Sequence, residues 1–70
     1  MKFANYYFLA TRGLDLHFVA SGMTTASSEN EAVRNARKKY PKADRYFVEL
    51  MPATQLQRWA VSLIRAEQQA

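Results

Sequence analysis

Cysteine is absent from the 70-residue chain, and histidine occurs once. The first absence excludes a disulfide framework, a thiolate metal site and a cysteine nucleophile. The second excludes histidine-rich metal centres, and no metal site is expected. Gly13 and Gly22 are the only glycines, so there is no glycine-rich loop to cradle a phosphate. No apolar run approaches the ~20 residues of a membrane span. Lys2 followed by Phe3–Ala10 has the opening of a signal peptide, but the stretch is short, contains Asn5 and continues into Arg12 and a second strand-like segment. Export is therefore not expected, and the default location is the cytoplasm. Acidic residues are scarce too, 6 against 10 lysines and arginines, for a net charge of +4.

What is present suits a folded domain. Hydrophobic residues make up 49% and charged residues 23%, too apolar for a disordered tail. The length admits one domain, residues 1–70. A chain this small buries only about 60% of its unfolded surface, and nine aromatic residues offset that because each buries a large area. Room for a deep pocket with a water-excluding lid is lacking, so neither enzyme activity nor a cofactor is expected.

Met1–Ala10 carries aromatic and apolar side chains on both parities, the pattern of a strand covered on both faces. Thr11-Arg12-Gly13 reads as a hairpin loop ending in a left-handed glycine. Leu14–Ala20 alternates, with Leu14, Leu16, Phe18 and Ala20 on one side, and reads as a second strand. Gly22–Ser27 reads as a polar connection. Ser28 and Glu31 form a capping box before a helix over 29–39, whose apolar stripe is Ala32, Val33, Ala36 and Tyr40. Pro41 ends it.

Asp44–Met51 alternates again, with Tyr46, Val48 and Leu50 opposite Arg45, Phe47 and Glu49. Pro52 closes that strand. Thr54 and Gln57 form a second capping box. Leu56, Trp59, Ala60, Leu63 and Ile64 then give the strongest helical periodicity in the chain, and Glu67–Ala70 is expected to fray. The fold class that follows is α+β, in the order β-β-α-β-α. A hairpin followed by a right-handed crossover places the first strand in the middle of a 2-1-3 sheet. The simplest packing puts both helices on one face.

Charge is concentrated. Residues 34–45 hold Arg34, Arg37, Lys38, Lys39, Lys42 and Arg45 against the single acid Asp44, whereas residues 1–33 carry two cations and three acids. The helix dipole favours Lys38 and Lys39 near a C-terminus, but Lys42 and Arg45 lie beyond it. The cluster therefore suits an anionic partner, nucleic acid or an acidic protein surface. The sheet face left open by the helices would carry Tyr6, Phe8, His17, Val19, Arg45 and Phe47 in one register of the first strand, or Phe3, Tyr7 and Leu9 in the other. Such a face suits unpaired bases, a partner protein or a second copy in a homodimer.

No catalytic residues are assigned. Asp15 and His17 share a strand face with Ser21 and Thr11 nearby, yet no oxyanion site accompanies them. His17 reads as a surface histidine and Trp59 as core.

In length, element order and a surface richer in aromatic and charged residues than so small a core needs, the chain resembles the small cysteine-free proteins that phages and mobile elements make against host machinery, anti-CRISPR proteins among them. That resemblance implies a non-enzymatic module that blocks a host protein or nucleoprotein complex by occupying its surface. The residues suited to this are Tyr6, Phe8 and Phe47 as anchors and Arg34, Arg37, Lys38, Lys42 and Arg45 as a charged rim. Direct nucleic-acid binding by the same surfaces is the alternative.

Overall fold

Ala4–Arg12 forms the central strand, β1, of a three-stranded sheet. It is followed by β2 (His17–Ala26), α1 (Glu29–Lys39), β3 (Arg45–Leu50) and α2 (Thr54–Gln69). The computed structural model describes residues 2–69; Met1 and Ala70, assigned by sequence to the first strand and the tail, lie outside the described residues. The strand order is β2-β1-β3, with β1 antiparallel to both neighbours. The α+β class, the β-β-α-β-α order and the 2-1-3 sheet are those expected from sequence.

The helices are not on one face, and here the expectation is corrected. Phe8, Leu9, Ala10 and Thr11 are consecutive and all buried, between 0% and 3% exposed. Successive strand side chains point to opposite faces, so both faces of β1 are covered. Leu9 packs with Ala53, Leu56 and Ala60 of the α2 segment, and Tyr7, Phe18, Phe47, Trp59 and Leu63 close around them. On the other face Phe8 stacks on Tyr40 at the end of α1, ring centroids 5.6 Å apart. Two helices on one side would have left one of these apolar sets in water, at about 25 cal/mol per Å².

A β-bulge decides which side chains reach which helix. The β1–β2 register pairs Ala10 with Ala20 and then Thr11 with Phe18, stepping over Val19. An extra residue flips the alternation. Phe18 therefore joins Leu9 under α2, while Ala20 lies opposite Ala10 on the α1 side. The expectation that Leu14, Leu16, Phe18 and Ala20 share a face fails at this point.

The hairpin loop is also displaced. It is Gly13–Leu16, closed by the Leu16 N–H donating to the Gly13 carbonyl at 3.2 Å, so Thr11 and Arg12 belong to β1. Gly13 opens the loop at φ +80°, and Leu16 is a second left-handed residue at φ +53°. Leu14 stands at the loop tip, 89% exposed. The stretch 22–26, read as a connection, continues β2. The Phe8 ring lies across Gly22, 3.4 Å from where a Cβ would stand.

α1 has the expected boundaries. The Ser28 hydroxyl accepts from the Glu31 N–H at 3.2 Å, while the Glu31 carboxylate accepts from the Ser27 hydroxyl at 2.7 Å rather than reaching back to the cap N–H. Tyr40, at φ −130° and ψ 71°, leaves the helix as the following proline demands. α2 starts at Thr54, so Thr54 is its first residue and not its cap; the Gln57 N–H donates to the Ala53 carbonyl at 2.9 Å. The helix continues to Gln69 through the segment expected to fray, and the Glu67 carboxylate accepts from the Phe18 N–H at 2.7 Å.

Thr11 is fully buried and its hydroxyl has no hydrogen-bond partner among the described residues. An unpaired buried hydroxyl costs about 1–3 kcal/mol. Thr11→Val keeps the shape and removes that cost. We expect it to raise the melting temperature by about 4–8 °C, the shift ~1 kcal/mol produces in a domain of this size. A lower melting temperature in calorimetry would refute this account of the site.

Candidate functional site

The basic segment lies on α1, the link from α1 to β3 and the first residue of β3. α1 sits close to the sheet because its inward residues, Ala32 and Ala36, are small and buried. On its β2 side the Asn35 amide donates to the Thr24 hydroxyl at 3.3 Å and to the Thr25 carbonyl at 3.2 Å. Helical spacing then turns Arg34 and Lys38, one turn apart, to the side opposite Ala32 and Ala36. Both are exposed, as are Arg37, Lys39, Lys42 and Arg45. Among the described residues, no carboxylate approaches any of these six within 4.0 Å.

Asp44, the one acid within residues 34–45, is tied to the hairpin loop. Its carboxylate accepts from the Gly13 N–H at 3.1 and 3.2 Å, and its own N–H donates to the Thr11 carbonyl at 3.0 Å. This clamp joins the hairpin loop to the start of β3.

Two tyrosines hold the α1–β3 link. The Tyr46 hydroxyl donates to the Tyr40 carbonyl at 2.5 Å and also approaches the Ala43 carbonyl at 3.0 Å. The Arg37 guanidinium lies 5.3 Å from the centre of the Tyr46 ring, a cation–π contact that fixes its direction. Tyr46→Phe should cost about 1 kcal/mol, the usual net worth of such a bond. It should also speed hydrogen exchange at the Ala43 and Asp44 amides more than at β1; equal exchange at both would show that the hydroxyl does not hold the link.

The expected anchors do not form an exposed aromatic face. Phe8 is 3% exposed and stacked on Tyr40. Phe47 is half-buried against Trp59, ring centroids 4.7 Å apart, on the opposite side of the sheet from Phe8. Tyr6 is half-buried, on the Phe8 side. Grouping the three requires one open face. The structure separates them and spends Phe8 and Phe47 on internal packing. The five rim cations Arg34, Arg37, Lys38, Lys42 and Arg45 are exposed as expected, but Arg45 lies in β3 on the Phe47 face of the sheet, apart from the other four.

His17 lies between two carboxylates, 3.9 Å from Asp15 and 3.6 Å from Glu67. Its side chain is 68% exposed, where such pairs contribute little. Thr11, one of the two hydroxyls weighed beside it, is sealed in the core. A hollow of about 180 Å³ lies between the hairpin loop and α2, lined by Asp15, Leu16, His17, Leu63, Ala66 and Glu67. No group of three or more metal-ligating side chains occurs among the described residues, and no helix among them is long and apolar enough to cross a membrane. Compared with known proteins, the chain matches no family model, no curated protein and no solved structure.

Proposed function

We propose that the chain is a small non-enzymatic binding module that occupies the phosphate backbone of nucleic acid, free or within a host nucleoprotein complex, and thereby blocks access to it. One observation carries the reading: five exposed cations on a single helix and the link after it have no acidic partner among the described residues. A solvated helix face usually intersperses both signs. Here the acids of α1, Glu29 and Glu31, are confined to its first turn, the cations follow without one, and Asp44 is committed to the hairpin.

Phosphates suit the cluster better than a protein hot spot does. Lysine is depleted at protein interfaces, and hot spots centre on buried aromatic anchors. Three of the five cations are lysines, and Phe8 and Phe47, which would have supplied a centre, are packed inside. The resemblance in size and plan to phage host antagonists fits a role exercised by occupancy.

The test is the salt dependence of binding to labelled single-stranded and duplex oligonucleotides, read by fluorescence anisotropy. Neutralising about four phosphates gives a slope of log affinity against log salt near −3 to −4. Absence of binding at low salt would refute the proposal. Retention of an acidic protein surface in its place would restore the reading in which the partner is a protein.

A further inference from the structure

The geometry points to a second interaction surface: the free edge of β3 pairs antiparallel with the same edge of a second copy, centred on Phe47, to make a continuous six-stranded sheet. The sheet has two edges, β2 and β3, and they are not equally protected. In an antiparallel ladder, alternate residues turn their backbone N–H and C=O toward one neighbour and the rest turn theirs the other way. The Met51 N–H donates to the Asn5 carbonyl at 3.0 Å, which sets the phase. Odd-numbered residues of β3 bond β1, and Tyr46, Val48 and Leu50 present their backbone groups outward.

By the same alternation β2 turns Ser21, Met23 and Thr25 outward. Its edge is blunted at both ends. The Asn35 amide caps the Thr25 carbonyl, and the Glu67 carboxylate takes the Phe18 N–H. No hydrogen bond from either helix reaches the outward backbone of Tyr46, Val48 or Leu50 among the described residues. Unpaired edges of this kind template strand addition unless charge, proline or cover prevents it.

Charge on the strand selects the partner and the register. With the two-fold axis at Phe47, Tyr46 meets Val48 of the second copy in the hydrogen-bonded positions. Arg45 then stands directly opposite Glu49, twice, on the face that carries Phe47. Opposite charges facing across a strand pair are favourable, and like charges are unfavourable. Shifting by one register step removes both ion pairs. A second copy satisfies every one of these requirements because a two-fold interface is self-complementary.

The experiment is sedimentation equilibrium of wild type, Arg45→Glu, Glu49→Arg and an equimolar mixture of the two variants, with far-UV circular dichroism to confirm folding. Wild type should show twice the 8.1 kDa chain mass. Each variant alone sets like charges opposite one another in both pairs and should dimerise about tenfold or more weakly. In the mixture every facing pair is again of opposite sign, so association should return. Raising salt should weaken the attraction within wild type and the mixture and relieve the repulsion in each variant, narrowing the difference. A wild type that stays monomeric up to about 1 mM, the weak limit of specific association, would overturn the inference. So would variants that dimerise like wild type, or a mixture that stays monomeric.

Discussion

Phe8→Ala is expected to leave about half of the population unfolded at 25 °C. Phe8 is 3% exposed, its ring stacks on Tyr40 at 5.6 Å, and it lies across Gly22. Truncating a buried phenylalanine costs about 3–5 kcal/mol, the transfer term plus the cavity left behind. A single core in a domain below ~70–80 residues supplies about 3–5 kcal/mol in total, so the loss is of the same size as the reserve. The control is Phe3→Ala. Phe3 is 63% exposed, and its truncation should fall within the ~0.5 kcal/mol usual for surface positions. Urea unfolding followed by circular dichroism reads both. The comparison also separates two roles for Phe8. A docking anchor on an open face would leave the fold intact when truncated and weaken only binding. A Phe8→Ala variant as stable as wild type would therefore reverse the assignment made from its burial.

The elements were legible in the sequence wherever the signal was local. Ser28 and Pro41 bracket α1 because capping and proline sterics act within a few residues. The Trp59–Leu63 periodicity identifies α2 because one apolar stripe meets one sheet face. The failures come from choices made between distant segments. The apolar side chains on both parities of β1 already called for cover on two sides, and placing both helices on one face overlooks that demand. Val19 carries no mark of a bulge; the extra residue is selected by pairing with Ala10 and Thr11 in the other strand. Leu16 takes a left-handed conformation that its residue type disfavours, so the loop could not be placed from composition.

The candidate site divides in the same way. Exposure of Arg34 and Lys38 follows from helical spacing against Ala32 and Ala36. The destination of Asp44 does not, since its partner Gly13 lies 31 residues earlier in the chain. Grouping Tyr6, Phe8 and Phe47 is a topological inference and falls with the open face. What survives is a set of cations whose placement depends on one helix and its link.

That set yields the last expected result. The triple variant Arg34→Ala, Lys38→Ala, Lys42→Ala should flatten the salt slope of oligonucleotide binding by about 2.7 for a duplex, at ~0.9 for each phosphate no longer neutralised. At 0.1 M salt the same change weakens affinity about 10²–10³-fold. Arg37 is left in place because its guanidinium covers the Tyr46 ring and its removal would mix packing with charge. The three chosen residues are exposed, and alanine is the best helix former at the two helical positions. Removing Lys38 near the α1 C-terminus sacrifices only about 0.3–1 kcal/mol of dipole interaction, so the variant should fold and its weaker binding should report direct engagement of the ligand. A steep slope that survives all three substitutions would place the phosphate-binding residues elsewhere. The cations of α1 would then be explained by the helix dipole and solvation alone.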